Sequence, residues 1–201
     1  MLFLGAIFAI ALMLGWGLGG GLRALADVRI RLWPAIPVAV LLQVVPVPEV
    51  SGGVGRLLPV GFLLTSYLLL AVVAVANWYQ RGFPLILLGL LLNGTVVTIN
   101  QGMPVSEQAI RDSGNLSLLE DLPRERGGKH HAATDEDVLV FLADSVPVRE
   151  PFGVVVSPGD AAIDVGAAVF LAAAMLRRQD RRHREEEEWP SLRTQPSGTR
   201  R

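Results

Sequence analysis

The chain of 201 residues is 51% hydrophobic and 18% charged, with a formal net charge of −1 and a mean hydropathy of +0.42. These values exclude a disordered, collagen-like or strongly basic nucleic-acid-binding chain, and the absence of cysteine excludes disulfides, thiolate metal sites and a thiol nucleophile. The charge is segregated: only seven charged residues lie in 1–99, whereas 100–160 and everything from Arg177 onward is densely charged. That asymmetry predicts a membrane protein.

A helix needs about 20 mostly apolar residues to cross roughly 30 Å of hydrocarbon. Leu2 to Leu22 is an uncharged run of 21 residues and meets that requirement. Ala24-Leu25-Ala26 looks like a signal-peptide cleavage site. However, no Lys or Arg precedes the apolar run, which is also long for a signal sequence, so a retained span is expected. Leu32 to Pro48 is interrupted by Pro34, Pro37, Pro46 and Pro48 and predicts a shorter or kinked span. Leu57 to Ala76 gives a third span, with Trp78 and Tyr79 behind it at interfacial positions. Phe83 to Ile99 gives a fourth, and Pro158 to Leu176 a fifth that carries Asp160 and Asp164 in its first turns.

Arg residues beside spans favour the cytoplasmic side. Arg23, Arg29, Arg31 and Arg81, and the cluster from Arg177 to Arg184, fall on one side of a five-span path, while Glu49, Arg56 and the loop of 100–157 fall on the other. That loop has ten acidic and five basic residues. The expectation is an all-α integral membrane bundle of about five transmembrane helices, at 2–22, 32–48, 57–76, 83–99 and 158–176. Its N-terminus is outside and its C-terminus cytoplasmic, in the inner or plasma membrane. A small helical extracytoplasmic cap occupies 100–157. The tail of 177–201 continues the last helix briefly through pairs such as Arg181 with Glu185 and is otherwise disordered.

Polar residues concentrate at the outer face. Asn93 and Asn100 are seven apart and share a face of span four, where buried amides serve as interhelical glue or, with Gln101, as a polar ligand mouth. Gly102 suits the left-handed position after that helix, and Pro104 cannot continue it. Ser106 is placed to cap a short helix through Arg111, and Thr134-Asp135-Glu136-Asp137 to start another with Val138, Leu139, Phe141 and Leu142 as its apolar face, too short to cross and lying on the membrane surface or the bundle. Lys129-His130-His131 follows two glycines. His130, His131, Asp144 and Asp160 form a candidate divalent-metal set, although adjacent histidines on a strand point opposite ways and a solvated or carboxylate-paired cluster is the plainer reading. In Ser157-Pro158-Gly159-Asp160, Ser at the cap, Pro at the first position and an acid at the third mark a helix start, so Asp160 reads first as a capping residue. Asp164, one turn farther in, is an ionisable residue within a span and a candidate proton or cation relay.

The ordered set Asn100-Gln101-Gly102-Met103-Pro104-Val105, Lys129-His130-His131, Phe141-Leu142-Ala143-Asp144 with Pro147, and Ser157-Pro158-Gly159-Asp160 precedes a final span. In this the chain resembles a bacterial family of multi-span membrane proteins classified only as a domain of unknown function. The resemblance covers most of 1–176 and implies topology and candidate positions, but no reaction. The family pattern has two glycines before Met-Pro where this chain has Gln101-Gly102, so a tight-turn role at 101 does not carry over.

The leading functional expectation is a non-enzymatic membrane protein that binds a ligand or docks another membrane or envelope protein through its cap, with the lipid bilayer as its other partner, no nucleic acid and no resident cofactor. The alternative is a metal-assisted enzyme acting on lipid-linked or envelope substrates. A small transporter or cation relay comes third, because paired intramembrane charges and broken-helix repeats are lacking. No G-x-S-x-G, P-loop or G-x-G-x-x-G stands in a strand-to-helix context.

Overall fold

The computed structural model describes residues 2–46, 57–120 and 122–193. Among the described residues, three helices are long and apolar enough to cross a membrane: α3 (Leu58–Ala76), α4 (Phe83–Asn100) and the part of α7 (Pro158–Arg193) from Pro158 to Leu176. These coincide with the expected third, fourth and fifth spans. Two further apolar helices are shorter. α1 (Leu2–Gly17) has 16 residues and α2 (Ala35–Val44) has 10, lengths of about 24 and 15 Å against the roughly 30 Å of a hydrocarbon core. Gly19, at φ +87°, ends α1 ahead of the expected boundary. In α2, Pro34 occupies the N-cap and Pro46 follows the last turn, so the prolines set its limits. Residues 47–48 of the expected second span, its flanking Glu49 and Arg56, and 194–201 lie outside the described residues. The backbone of α7 is helical to Arg193, across part of the tail expected to lack fixed structure.

The helices alternate in direction relative to the cap. α4 and α7 run antiparallel, and their contact is built on glycine. Gly89 lies against Gly159, and Gly82, seven residues earlier, lies against Gly166, seven residues later. A Cβ at Gly89 would overlap the Gly159 carbonyl and one at Gly159 would overlap the Asn93 carboxamide, so side chains here would force the helices apart. Without lipid–water contrast to drive association, such backbone proximity is how helices in hydrocarbon gain dispersion contacts. α1 lies alongside α7 in the same direction, with Gly15 and Gly20 against Met175 and the Gly21 N–H donating to the Met175 carbonyl at 3.3 Å. α2 is antiparallel to α3, with Ala35 and Ile36 packed beside Val73 and Ala74, and Gln43 Nε2 donating to Ser66 Oγ at 2.6 Å nearer the cap.

At the end away from the cap, two amides hold the chain that enters α2. Asn77 accepts from the Arg31 N–H at 2.8 Å and donates to the Arg31 carbonyl at 2.9 Å, while Gln80 donates to the Arg29 carbonyl at 3.2 Å. Trp78 and Tyr79 are exposed beside them, as an interfacial pair would be.

The cap corrects the all-α expectation. It contains a parallel pair, β1 (Met103–Val105) with β2 (His130–Ala132), and an antiparallel pair, β3 (Val146–Val148) with β4 (Val154–Val156). Two helices accompany them, α5 (Glu107–Ser113), capped as expected by Ser106 Oγ on the Ala109 N–H at 3.2 Å, and α6 (Ser117–Glu120). The helix expected from Thr134 does not form. Its start signature is present, since the Thr134 N–H donates to Asp137 Oδ2 at 2.8 Å. In a helix the Val138 N–H would bond the Thr134 carbonyl, but here it donates to Asn100 Oδ1 at 2.8 Å, and Leu139 takes a left-handed φ of +58°. Only a short 3-10 turn, Val140–Leu142, follows, and Leu139 and Leu142 pack onto Val60, Leu63, Val96 and Val97.

Candidate functional site

α4 presents Asn93 and Asn100 on one buried face, and each amide joins the bundle to a different part of the cap side. Asn93 Nδ2 donates to Asp160 Oδ1 at 2.7 Å and its Oδ1 accepts from Ser157 Oγ at 3.0 Å. Ser157 and Asp160 in turn form a reciprocal helix cap on α7: the Asp160 N–H donates to Ser157 Oγ at 2.9 Å and the Ser157 N–H to Asp160 Oδ2 at 3.1 Å. Asp160 is thus the capping residue expected, and it is also an interhelical partner. Asn100 uses both its donors on backbone, to the Val96 and Val138 carbonyls at 3.0 and 2.9 Å, and accepts from the Val138 N–H. Both amides act as glue. The left-handed position after α4 falls on Gln101, at φ +54°, whereas Gly102 is required for another reason. A Cβ there would lie 2.6 Å from the Gly128 carbonyl and 2.9 Å from His131 Nδ1.

The paired histidines separate across β2. His131 is fully buried and faces Asp137, with Nε2 to Oδ1 at 3.2 Å. Asp137 also receives the Thr134 N–H and hydroxyl, and the Arg126 guanidinium lies 2.9 Å away. Burial alone would push the Asp137 carboxyl up, but the hydrogen bonds from Thr134 and His131 outweigh it and hold the carboxyl below its ordinary value. His130 points the other way, toward Asp144, with Nε2 3.9 Å from Oδ2. Asp144 is fixed by its backbone, which donates to the Pro104 carbonyl at 3.1 Å and accepts from the Ser106 N–H at 2.9 Å. Its side chain is 11% exposed, and burial, then the nearby Asp160 carboxylate, pushes its carboxyl well above the ordinary range. The His130 side chain is 53% exposed, yet burial pushes its pKa down, opposed by Asp160 and reinforced by Lys129.

His130, Asp144 and Asp160 therefore lie in one another's electrostatic field, and Tyr67 of α3, beside Asn93, lies within the field of the same two carboxyls. The proposed four-ligand metal set is divided: His131 is committed to Asp137, and Asp160 to Asn93 and Ser157. Among the described residues no group of three or more His, Asp or Glu side chains is arranged to hold a metal ion. Lys129 belongs to the scaffold, because its ammonium bonds the carbonyls of Leu42, Gln43 and Val45 at the end of α2. Gln101 has an exposed side chain, and its carbonyl accepts the Gly127 N–H at 3.0 Å. Asp164 is half-buried one turn below Asp160 on α7.

Sequence reasoning did not single out Tyr67, Asn77, Gln80 or the Gln43–Ser66 pair. The amides carried a usable signal, since each sits inside or directly against an apolar run. Tyr67 carried none that distinguishes it from its leucine neighbours.

The protein family described as "Family of unknown function (DUF5317)" matches residues 27–172, more than half of the chain. An uncharacterised protein of Thermotoga maritima is 29% identical over 168 residues, covering 82% of this chain and 88% of the relative. No solved structure matches.

Proposed function

Given that the chain belongs to the DUF5317 family of unknown function, we propose that it is an integral membrane protein that binds a ligand or partner segment presenting a cationic group at the junction of its bundle and its cap. The observation that carries this reading is that Asn93 and Asp160, hydrogen-bonded across α4 and α7, lie within electrostatic range of His130 and Asp144, 3.9 Å apart in the cap. Two carboxyls face one another's field there, and burial favours the uncharged imidazole beside them. An entering ammonium or guanidinium would favour the ionised form of Asp144 and release its proton, because an opposite charge lowers a carboxyl pKa. The positive-inside bias of Arg81 and the arginines after Leu176 supports placing the cap outside the cytoplasm.

Calorimetric titration of the full-length protein in detergent with arginine and with spermidine, in two buffers of different ionisation enthalpy, tests the reading. Saturable binding with proton release in the wild type, lost in Asp144→Asn, is expected. Absence of binding for both probes, or binding untouched by Asp144→Asn and His130→Ala, would overturn it.

A further inference from the structure

The cap exposes an apolar turn that its own core does not use. In the segment from Val138 to Leu142 the side chains sort by alternation around the left-handed Leu139: Leu139 and Leu142 pack inward on Val60, Leu63, Val96 and Val97, while Val138 is 51% and Phe141 69% exposed. Val138 and Phe141 thus stand as an outward apolar pair above the two anchored leucines. The height of the turn is fixed. Asn100, the last residue of the spanning helix α4, takes both the N–H and the carbonyl of Val138, so the exposed pair is held level with the end of a membrane span. Ile99, the residue before the clamp, is itself exposed, continuing the outward apolar belt of Leu88 and Leu91 on the same helix. On the other side of the turn the exposed Asp135 and Glu136 supply the polar boundary, and Glu136 lies 3.6 Å from Arg126.

We propose that the turn of Val138 and Phe141 is an interfacial anchor that inserts into the outer edge of the lipid bilayer, seating the cap on the membrane. The occupant of this face is the acyl-chain and headgroup boundary of the lipid, not another protein. Continuity with the apolar belt of α4 and the Asn100 clamp argue for it, because together they hold the exposed pair at the depth where the apolar surface of α4 ends. An aromatic ring at that depth is the side chain that membrane–water boundaries accommodate well. The inference rests on the membrane reading given above and not on the cationic ligand.

The natural chain has no cysteine, so single-cysteine variants can be spin-labelled directly. Phe141→Cys and Val138→Cys, in full-length protein reconstituted into phosphatidylcholine vesicles, are compared with Glu136→Cys, whose side chain is 84% exposed, and with Leu68→Cys on α3. Oxygen partitions into hydrocarbon and a nickel chelate stays in water, so the ratio of their collision rates reports depth. The expected result is a ratio at 138 and 141 shifted from that of position 136 toward that of position 68. A ratio at 141 equal to that at 136, with 68 reading as lipid, overturns the anchor and leaves the membrane reading intact. A water-like ratio at 68 overturns both. A strongly immobilised label at 141 that neither reagent reaches identifies a protein contact and overturns the anchor.

Discussion

Removing the Asn93 carboxamide severs two contacts between α4 and the start of α7 at once. Asn93→Ala loses the donation to the Asp160 carboxylate at 2.7 Å and the acceptance from Ser157 Oγ at 3.0 Å, both at a residue with no exposed surface. A hydrogen bond to a charged group contributes about 1.5–3 kcal/mol and a neutral one about 1 kcal/mol, so a loss on the order of 3 kcal/mol is expected. For a chain of this size each kcal/mol moves the midpoint by about 2–4 °C, which gives a fall in Tm of roughly 6–12 °C. Tryptophan fluorescence during thermal unfolding of the full-length protein in detergent measures it. The double variant Asn93→Ala with Asp160→Ala should fall well short of the summed single effects, with a coupling of about 0.5–3 kcal/mol, since both changes break the same contact. Additive losses, or a fall in Tm no larger than that of a surface control such as Gln108→Ala, would refute the assignment of Asn93 as the link between these helices.

Two carboxyls give opposite responses to pH. The folded-state pKa of Asp144 is raised above its unfolded value of 3.8, so its stabilising contribution is complete below 3.8 and is lost as pH rises through the folded value. Asp144→Asn, neutral at every pH, should therefore gain Tm relative to wild type on going from pH 4 toward neutrality; a constant difference across a Tm-versus-pH series refutes it. Asp137 has the reverse sign: its pKa is held below 3.8, and its contribution, present above 3.8, disappears as pH falls through the folded value. Lys129→Met should release the last carbonyls of α2 at a cost of about 1–3 kcal/mol, seen as faster amide exchange in 41–46 with α3 and α4 unchanged; uniform acceleration across the bundle would contradict a local capping role.

The helices long enough to span a membrane were legible because their signal is local. Leu58–Ala76 and Phe83–Asn100 carry enough apolar length to declare themselves, and Pro59 and Pro84 mark their first turns. The capping box of Ser157 and Asp160 and the cap at Ser106 were equally local, each depending on residues three positions apart. Proline positions in 34–46 pointed to a shortened helix but not to its length of ten residues. The candidate site was half legible. Asn93, Asn100, His130, Asp144 and Asp160 all stand at the bundle–cap junction, and adjacency alone indicated that His130 and His131 would diverge on a strand, but not that they would face Asp144 and Asp137.

The failed helix after Thr134 shows the reason. Its first four residues satisfy every local rule for a helix start, and the same residues form a turn because Asn100, 38 positions away, takes the Val138 N–H that the second turn of a helix would need. Sequence alone thus determined where the chain is apolar enough to leave water and which short segments can cap, since those depend on length and on neighbours within one turn. Tertiary structure decided which glycines face one another across α4 and α7, which histidine is buried, and which carboxyl is pushed up and which down. Those outcomes depend on who lies opposite, and the partners come from segments that the linear order holds far apart.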